Sequence, residues 1–287
     1  MENSQKIKLF GSRDFSSNFD MTLNFLKQNY VSILKGILIL IPVYLIVAYF
    51  MPSSTSFSPS ASVYGGAFNT YMSMFTLGFF IAYILIGLTS LATFLYIASY
   101  MALYAKSPDG VIKSSDVWSK VSKAFLPMLG GSIIFGVLVT IGTILCIIPG
   151  IIVYVYLGFY CYVYVNEDRS IIDSFYRSYE LITNNWWITF GYGLVFLIIV
   201  GIIGAIFAIP TYLGAIGTVF GIGFLTGEVY TYISALISYA GSFLLYPIIY
   251  IAMGVMYYSH RNKLEGIDME SEIDNIGSFP DNQKDQY

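Results

Sequence analysis

Charge, histidine and cysteine are what this sequence has least of. Lys and Arg number 14 and Asp and Glu 17, so 11% of the 287 residues are charged, against about 25% in an ordinary soluble domain. A polar coat for a water-soluble globule is therefore missing. The net charge of -3, with no dense basic cluster, leaves no electrostatic footprint for nucleic acid. His260 is the single histidine, and the only cysteines are Cys146 and Cys161. A His-based zinc cluster, a Ser/His/Asp triad or a Cys/His pair thus has no partner set on this chain, and no cofactor is expected. The two cysteines stand at unequal distances from Pro149-Gly150, which at about 1.5 Å per residue puts them at different depths and argues against a disulfide. Residues 1–28 are polar and lack the short apolar core and cleavage site of a signal peptide, so the first apolar run is expected to stay in the mature protein.

Long apolar runs take the place of charge. They read as 30–50, 71–104, 125–148, 151–165, 186–209 and 229–258, most of them longer than the roughly 18 residues that mark a bilayer span. The third and fourth form one stretch, and a single helix of that length would be about 60 Å long, twice the hydrocarbon core. Pro149 and Gly150 are therefore expected to make a tight turn. Pro247 is expected to kink the sixth span. The fold class that follows is all-α: a polytopic membrane protein of six transmembrane helices arranged as three hairpins, with cytoplasmic amphipathic surface helices. Three regions result, an N-terminal cytoplasmic segment 1–28, a membrane domain 29–262 and an acidic tail 263–287 whose end is expected to be disordered.

Orientation follows from the cations. With the N-terminus in the cytoplasm, all 14 Lys and Arg fall on inner segments, while residues 51–70, the Pro149 turn and residues 210–228 carry none. That asymmetry satisfies the positive-inside rule and puts both termini in the cytoplasm of a bacterial inner membrane. It also settles the count at six, since a seventh span through Thr211 to Thr226 would move Arg261 and Lys263 outside. The segment 211–226 is expected to be re-entrant or to lie on the outer surface.

Short stretches between the spans carry helical periodicity. Phe15, Phe19, Leu23, Leu26 and Tyr30 share one face, as do Val117, Trp118, Val121 and Phe125, and Ile171, Ile172, Phe175, Tyr179 and Ile182. Helices of this kind are expected in the inner headgroup region. Each precedes an outward span and its return, so the chain reads either as three weak copies of one unit or as hairpins with surface helices that look alike without descent from one.

Buried ionisable groups usually flag transport or catalysis in a membrane, and the spans hold almost none. Lys35 is close enough to its span end to snorkel. Glu228 opens the sixth helix with Thr226 as a cap, where a carboxylate complements the dipole; it is also the candidate for a polar site on the outer face. His260 reads as structural. Gly217 with Gly221, Ala98 with Ala102 and the ladder Ser234, Ser238, Ser242 have the spacing of close helix contacts. On the inner side, Arg177, Lys120, Lys123 and Trp118 are the candidates for lipid or partner contact, with Arg177 also within pairing distance of Asp173 and Glu180.

Ile148-Pro149-Gly150, Glu167, Ser174-Phe175 and the run Arg177 to Trp187, followed by Tyr257-Tyr258-Ser259 and Glu265 to Met269, resemble the bacterial glycerophosphoryl diester phosphodiesterase membrane-domain family and its uncharacterised relatives, including those common in Bacteroidetes-type bacteria. The resemblance covers roughly residues 110–275. It implies a membrane domain that is sometimes joined to a soluble phosphodiesterase domain; none is expected here, so it brings no catalytic residues. Arg177 matches the family's basic position before Ser178.

The reading reached from sequence is a non-enzymatic inner-membrane protein with a membrane-organising, lipid-interacting or partner-binding role. Its partners are the lipid bilayer and either further copies of itself or another membrane protein. Two rivals remain open: a transporter or channel for an uncharged or lipid-like substrate, using the Pro247 kink, Ser238 and segment 211–226; and an interfacial lipid-modifying enzyme working through Glu228, Glu167 or Asp168.

Overall fold

Asp14 starts the first helix by accepting a hydrogen bond from the Ser17 amide at 2.8 Å, the work of an acidic N-cap. From there the computed structural model describes residues 6–50 and 77–269, and they are helical throughout apart from short joints. The elements are α1 (Phe15–Ile37), a 3₁₀ turn (Leu38–Leu40), α2 (Ile41–Phe50), α3 (Leu77–Lys106), α4 (Ser114–Leu145), α5 (Ile147–Leu157), α6 (Tyr160–Glu167), α7 (Ile171–Thr183), α8 (Trp186–Phe220), the single turn α9 (Gly223–Thr226) and α10 (Glu228–Glu265). Among the described residues, six stretches are long and apolar enough to cross a membrane: Phe15–Val47, Leu77–Lys106, Ser114–Leu145, Ile147–Glu167, Trp186–Phe220 and Glu228–Glu265. The expected outer segment 51–70, the start of the 71–104 run and most of the tail lie outside the described residues.

Proline, glycine and serine explain the joints. Pro42 is the second residue of α2 and brings no N–H, which loosens the turn before it into 3₁₀ geometry. The carbonyl of Gly36, next to that joint, accepts a hydrogen bond from the Trp118 indole at 2.9 Å. Ser170 caps α7 by accepting from the Asp173 amide at 3.2 Å. Gly221 and Gly266 close α8 and α10 in the left-handed conformation, at φ 69° and 66°, which glycine adopts without penalty.

α10 runs along α8 and also touches α1, α2 and α3, while α4 packs between α3 and α5. Near the C-terminal half of α10 the interior is filled by aromatic rings, with Phe25, Tyr96, Tyr162, Tyr257 and Tyr258 wholly buried. The outward faces of α4 and α8 expose Ile133, Val137, Ile141 and Ile144, and Leu197, Ile198, Ile202 and Ile206. Apolar walls of that extent suit hydrocarbon rather than water.

The helices depart from the sequence expectations in four places. The reversal between the third and fourth spans is at Cys146, in extended conformation (φ -172°, ψ 149°), and Pro149 and Gly150 lie within the first turns of α5. The reason is contact between the two helices. A Cβ on Gly142 would stand 3.0 Å from the Gly150 backbone, so Gly150 is the point where α5 touches α4. The second departure is in segment 211–226, where α8 continues helically through Pro210 to Phe220 and the single turn α9 follows at Gly223–Thr226. Third, α1 buries Asn18, Thr22, Phe25, Asn29 and Ile33 while Phe15 and Leu23 are exposed, a face rotated from the apolar stripe. The buried polar groups have partners inside: Asn18 donates to Ser259 at 3.2 Å, Thr22 meets the Tyr192 hydroxyl at 2.6 Å, and Asn29 accepts from Tyr100 at 3.0 Å. Hydrogen bonding to neighbouring helices outweighs the local apolar period here. Fourth, α7 turns Ser174 and Ser178 inward with Phe175 and Ile182, leaving Ile172 and Tyr179 exposed. Ser178 donates to the Tyr156 carbonyl at 2.8 Å and accepts from the Phe159 amide at 3.0 Å, and so satisfies backbone freed at the joint between α5 and α6.

Candidate functional site

An arginine–glutamate cluster lies where α6 meets α7 and α10 finishes. Residues 6–13 run across this end. Lys6 donates to the carbonyls of Ala105, at 3.2 Å, and Ser107, which completes the end of α3. Phe10 packs edge-on against Tyr258, with ring centres 4.9 Å apart, and lies beneath the Arg261 guanidinium.

The centre of this end is a clasp of arginines and glutamates. Glu167, at the last position of α6, has a side chain only 5% exposed. Its Oε2 accepts from Arg177 Nε and from Arg169 Nε, each at 3.1 Å, and its Oε1 accepts from the Tyr257 hydroxyl at 2.9 Å. Arg177 also donates to Glu180 at 2.8 Å and to Glu265, and Glu265 in turn accepts from Arg261 at 2.8 Å. One guanidinium therefore ties the end of α6, its own α7 and the end of α10. Burial works against the Arg177 charge, but its hydrogen bond to Glu180 and the fields of Glu167, Glu180 and Glu265 more than offset that and hold its pKa above the ordinary value. Asp168, left-handed at φ 49°, lets the chain turn from α6 towards α7.

Sequence reasoning paired Arg177 with Asp173 or Glu180, or with a lipid phosphate. The structure brings Glu180 to it, adds Glu167 and Glu265, and gives Asp173 to the Ser170 hydroxyl at 2.6 Å. With 7% of its surface exposed and three carboxylates bound, Arg177 has little left for a lipid. Trp118 faces inward as well, its indole on Gly36 and its ring 5.2 Å from that of Tyr96. Glu265 stands out in the sequence only as part of the family resemblance and not as a partner of the arginines, although its i+4 spacing from Arg261 is a pairing signal.

Lys120 and Lys123 are placed differently. Lys123 is exposed and Lys120 half-buried, close enough to Lys106 to feel its charge, with Asp168 exerting a weaker opposite pull. Lys106, Lys113, Lys120 and Lys123 form no ion pair among the described residues. Glu228 is exposed as the first residue of α10, and the cap before it is Gly227 rather than Thr226, whose hydroxyl donates to the Gly223 carbonyl at 3.2 Å. His260 is buried, with Nε2 against the Thr189 hydroxyl at 2.8 Å.

Both Glu167 oxygens are held by donors, so this buried carboxylate is occupied as an acceptor. Among the described residues no group of three or more His, Cys, Asp and Glu is placed to hold a metal ion. No curated protein and no solved structure matches the chain. A protein-family profile, described as a domain of unknown function (DUF7847) and not as a phosphodiesterase membrane domain, matches residues 70–260. That match takes in more than half of the sequence, four of the six apolar helices whole and most of the last, so the chain belongs to the DUF7847 family.

Proposed function

We propose that the chain is a non-enzymatic protein of a bacterial inner membrane, with six spans in three hairpins and both termini cytoplasmic, whose charged end holds anionic phospholipid headgroups. The observation that carries this is the division of labour between its cations. The arginines of the clasp are consumed by glutamates, whereas Lys106, Lys113, Lys120 and Lys123, at the junction of α3 and α4, pair with none among the described residues. Unpaired lysines beside an apolar wall suit lipid phosphates, each worth about 1 kcal/mol near an anionic surface. Beyond the clasp, α7 turns Ile172, Tyr176 and Tyr179 outward, and Trp187 continues this face onto the wall of α8. A stripe of that composition belongs in the headgroup layer.

Two measurements test the reading. Reporter domains fused after Ser60 and after Asn275 are expected to report opposite sides of the membrane; agreement between them would sink the six-span topology. Lipid selectivity is read by native mass spectrometry from nanodiscs that mix phosphatidylglycerol and phosphatidylethanolamine. Changing the four lysines to Gln is expected to weaken the phosphatidylglycerol preference by roughly fivefold per lysine, and an unchanged lipid ratio would remove the lysines from the function.

A further inference from the structure

α8 and α10 touch along much of their length and enclose a groove between them. At Gly241 they are in tight contact, since a Cβ there would stand 2.4 Å from Cγ of Phe207. Beside this contact lies a half-open groove of about 410 Å³, lined by Leu197, Gly201 and Gly204 on α8 and by Ser238, Ser242, Leu245 and Ile249 on α10. Two missing side chains keep it open. A Cβ on Gly201 would meet nothing within 4 Å, and one on Gly204 would reach Leu245 only at 3.6 Å.

We propose that this groove binds one acyl chain of a membrane phospholipid. Its lining contains no charged residue. Ser238 and Ser242, both on the lining, are bonded within the protein: Ser238 donates to the Phe207 carbonyl at 3.3 Å and shares a hydrogen bond with Thr211 at 3.0 Å, and Ser242 donates to the Ser238 carbonyl at 3.1 Å. With no charge and with both serine hydroxyls bonded inside the protein, the lining leaves Tyr246 as its one further polar side chain and selects an uncharged, mainly apolar occupant. Both walls belong to apolar spanning helices, at mid-length on each, so the groove opens where hydrocarbon chains surround the protein. A groove half enclosed on two sides gives a chain contacts that a convex helix wall does not. The site is remote in sequence from the cytoplasmic lysines, and its failure would leave the headgroup reading standing.

The test uses the full chain in phosphatidylethanolamine and phosphatidylglycerol vesicles that contain a phospholipid with a photoactivatable diazirine in its acyl chain. After illumination, labelled peptides are mapped by mass spectrometry. Labelling is expected to concentrate on 197–208 and 238–249 and to saturate as the probe fraction rises, while the α4 wall at 133–145 labels weakly and in proportion to probe. Gly201→Leu, which fills the groove from an open position, is expected to bring its labelling down to the level of the α4 wall. Gly136→Leu, also in open space but outside the groove, is expected to change nothing. Even, unsaturating labelling of all walls in the native chain would overturn the proposal without recourse to a variant. So would groove labelling that persists in a folded Gly201→Leu protein.

Discussion

Arg177→Gln is expected to destabilise the protein by about 3–5 kcal/mol, the usual cost of breaking a buried ion pair from one side. The cost comes less from lost attraction than from what stays behind. Glu167, 5% exposed, would keep its charge with only Arg169, the Tyr257 hydroxyl and a distant Arg261 at 3.8 Å to stabilise it. Thermal unfolding in detergent, followed by circular dichroism, reads the effect as a midpoint lower by roughly 10 °C. Arg169→Gln serves as the comparison, because Arg169 makes one ion pair to the same carboxylate oxygen from a side chain 43% exposed. Its expected cost is below about 1 kcal/mol. Adding Glu167→Gln to Arg177→Gln is expected to restore part of the loss, since the pair of changes leaves no uncompensated charge at that point. Equal, small shifts for Arg177 and Arg169, or no recovery in the double variant, would mean that the clasp is not the joint that fixes α7 to α10.

The six apolar runs were legible in the sequence because hydrocarbon demands length and low charge, and both are local properties. The details that depend on two elements meeting were not. Glu180 was visible as a partner of Arg177 because three helical positions separate them, whereas Glu167 and Glu265 lie 10 and 88 residues away and reach it only through the packing of α6 and α10. The inward face of α1 was misjudged for the same reason. Asn18, Thr22 and Asn29 look like a solvated stripe until Ser259, Tyr192 and Tyr100 are brought against them. Pro210 was read as the end of a span, yet α8 runs on through it, and Tyr230 supplies a hydrogen bond to the Pro210 carbonyl at 2.8 Å. The groove between α8 and α10 could not have been read at all, because both helices are needed to line it.

Gly150→Val carries the other large expected effect, and it distinguishes a turn glycine from a contact glycine. If Pro149 and Gly150 made the reversal, both would be needed for its shape, and Pro149→Ala would be costly. In the structure Pro149 is the third residue of α5, where its missing N–H is one that the helix leaves unpaired in any case. Pro149→Ala is therefore expected to shift stability by no more than about 0.5 kcal/mol. Gly150 has no such freedom. A Cβ there would stand 2.2 Å from Thr143 Oγ1, 2.9 Å from the Thr143 amide nitrogen and 3.0 Å from its Cα. The hydroxyl can rotate away, but the Thr143 backbone lies inside α4 and cannot. Valine at 150 must push α5 off α4, an overpacking cost of about 1–3 kcal/mol at least. Gly136→Ala, within α4 but with open space around it, is expected to gain up to about 1 kcal/mol from helix propensity. Thermal midpoints of the three variants in one detergent decide the matter. A large loss for Pro149→Ala with a mild one for Gly150→Val would return the reversal to residues 149–150 and separate α4 from α5. The expected order instead fixes Cys146 as the hinge and makes the contact between Gly142 and Gly150 the reason the chain can turn back within so few residues.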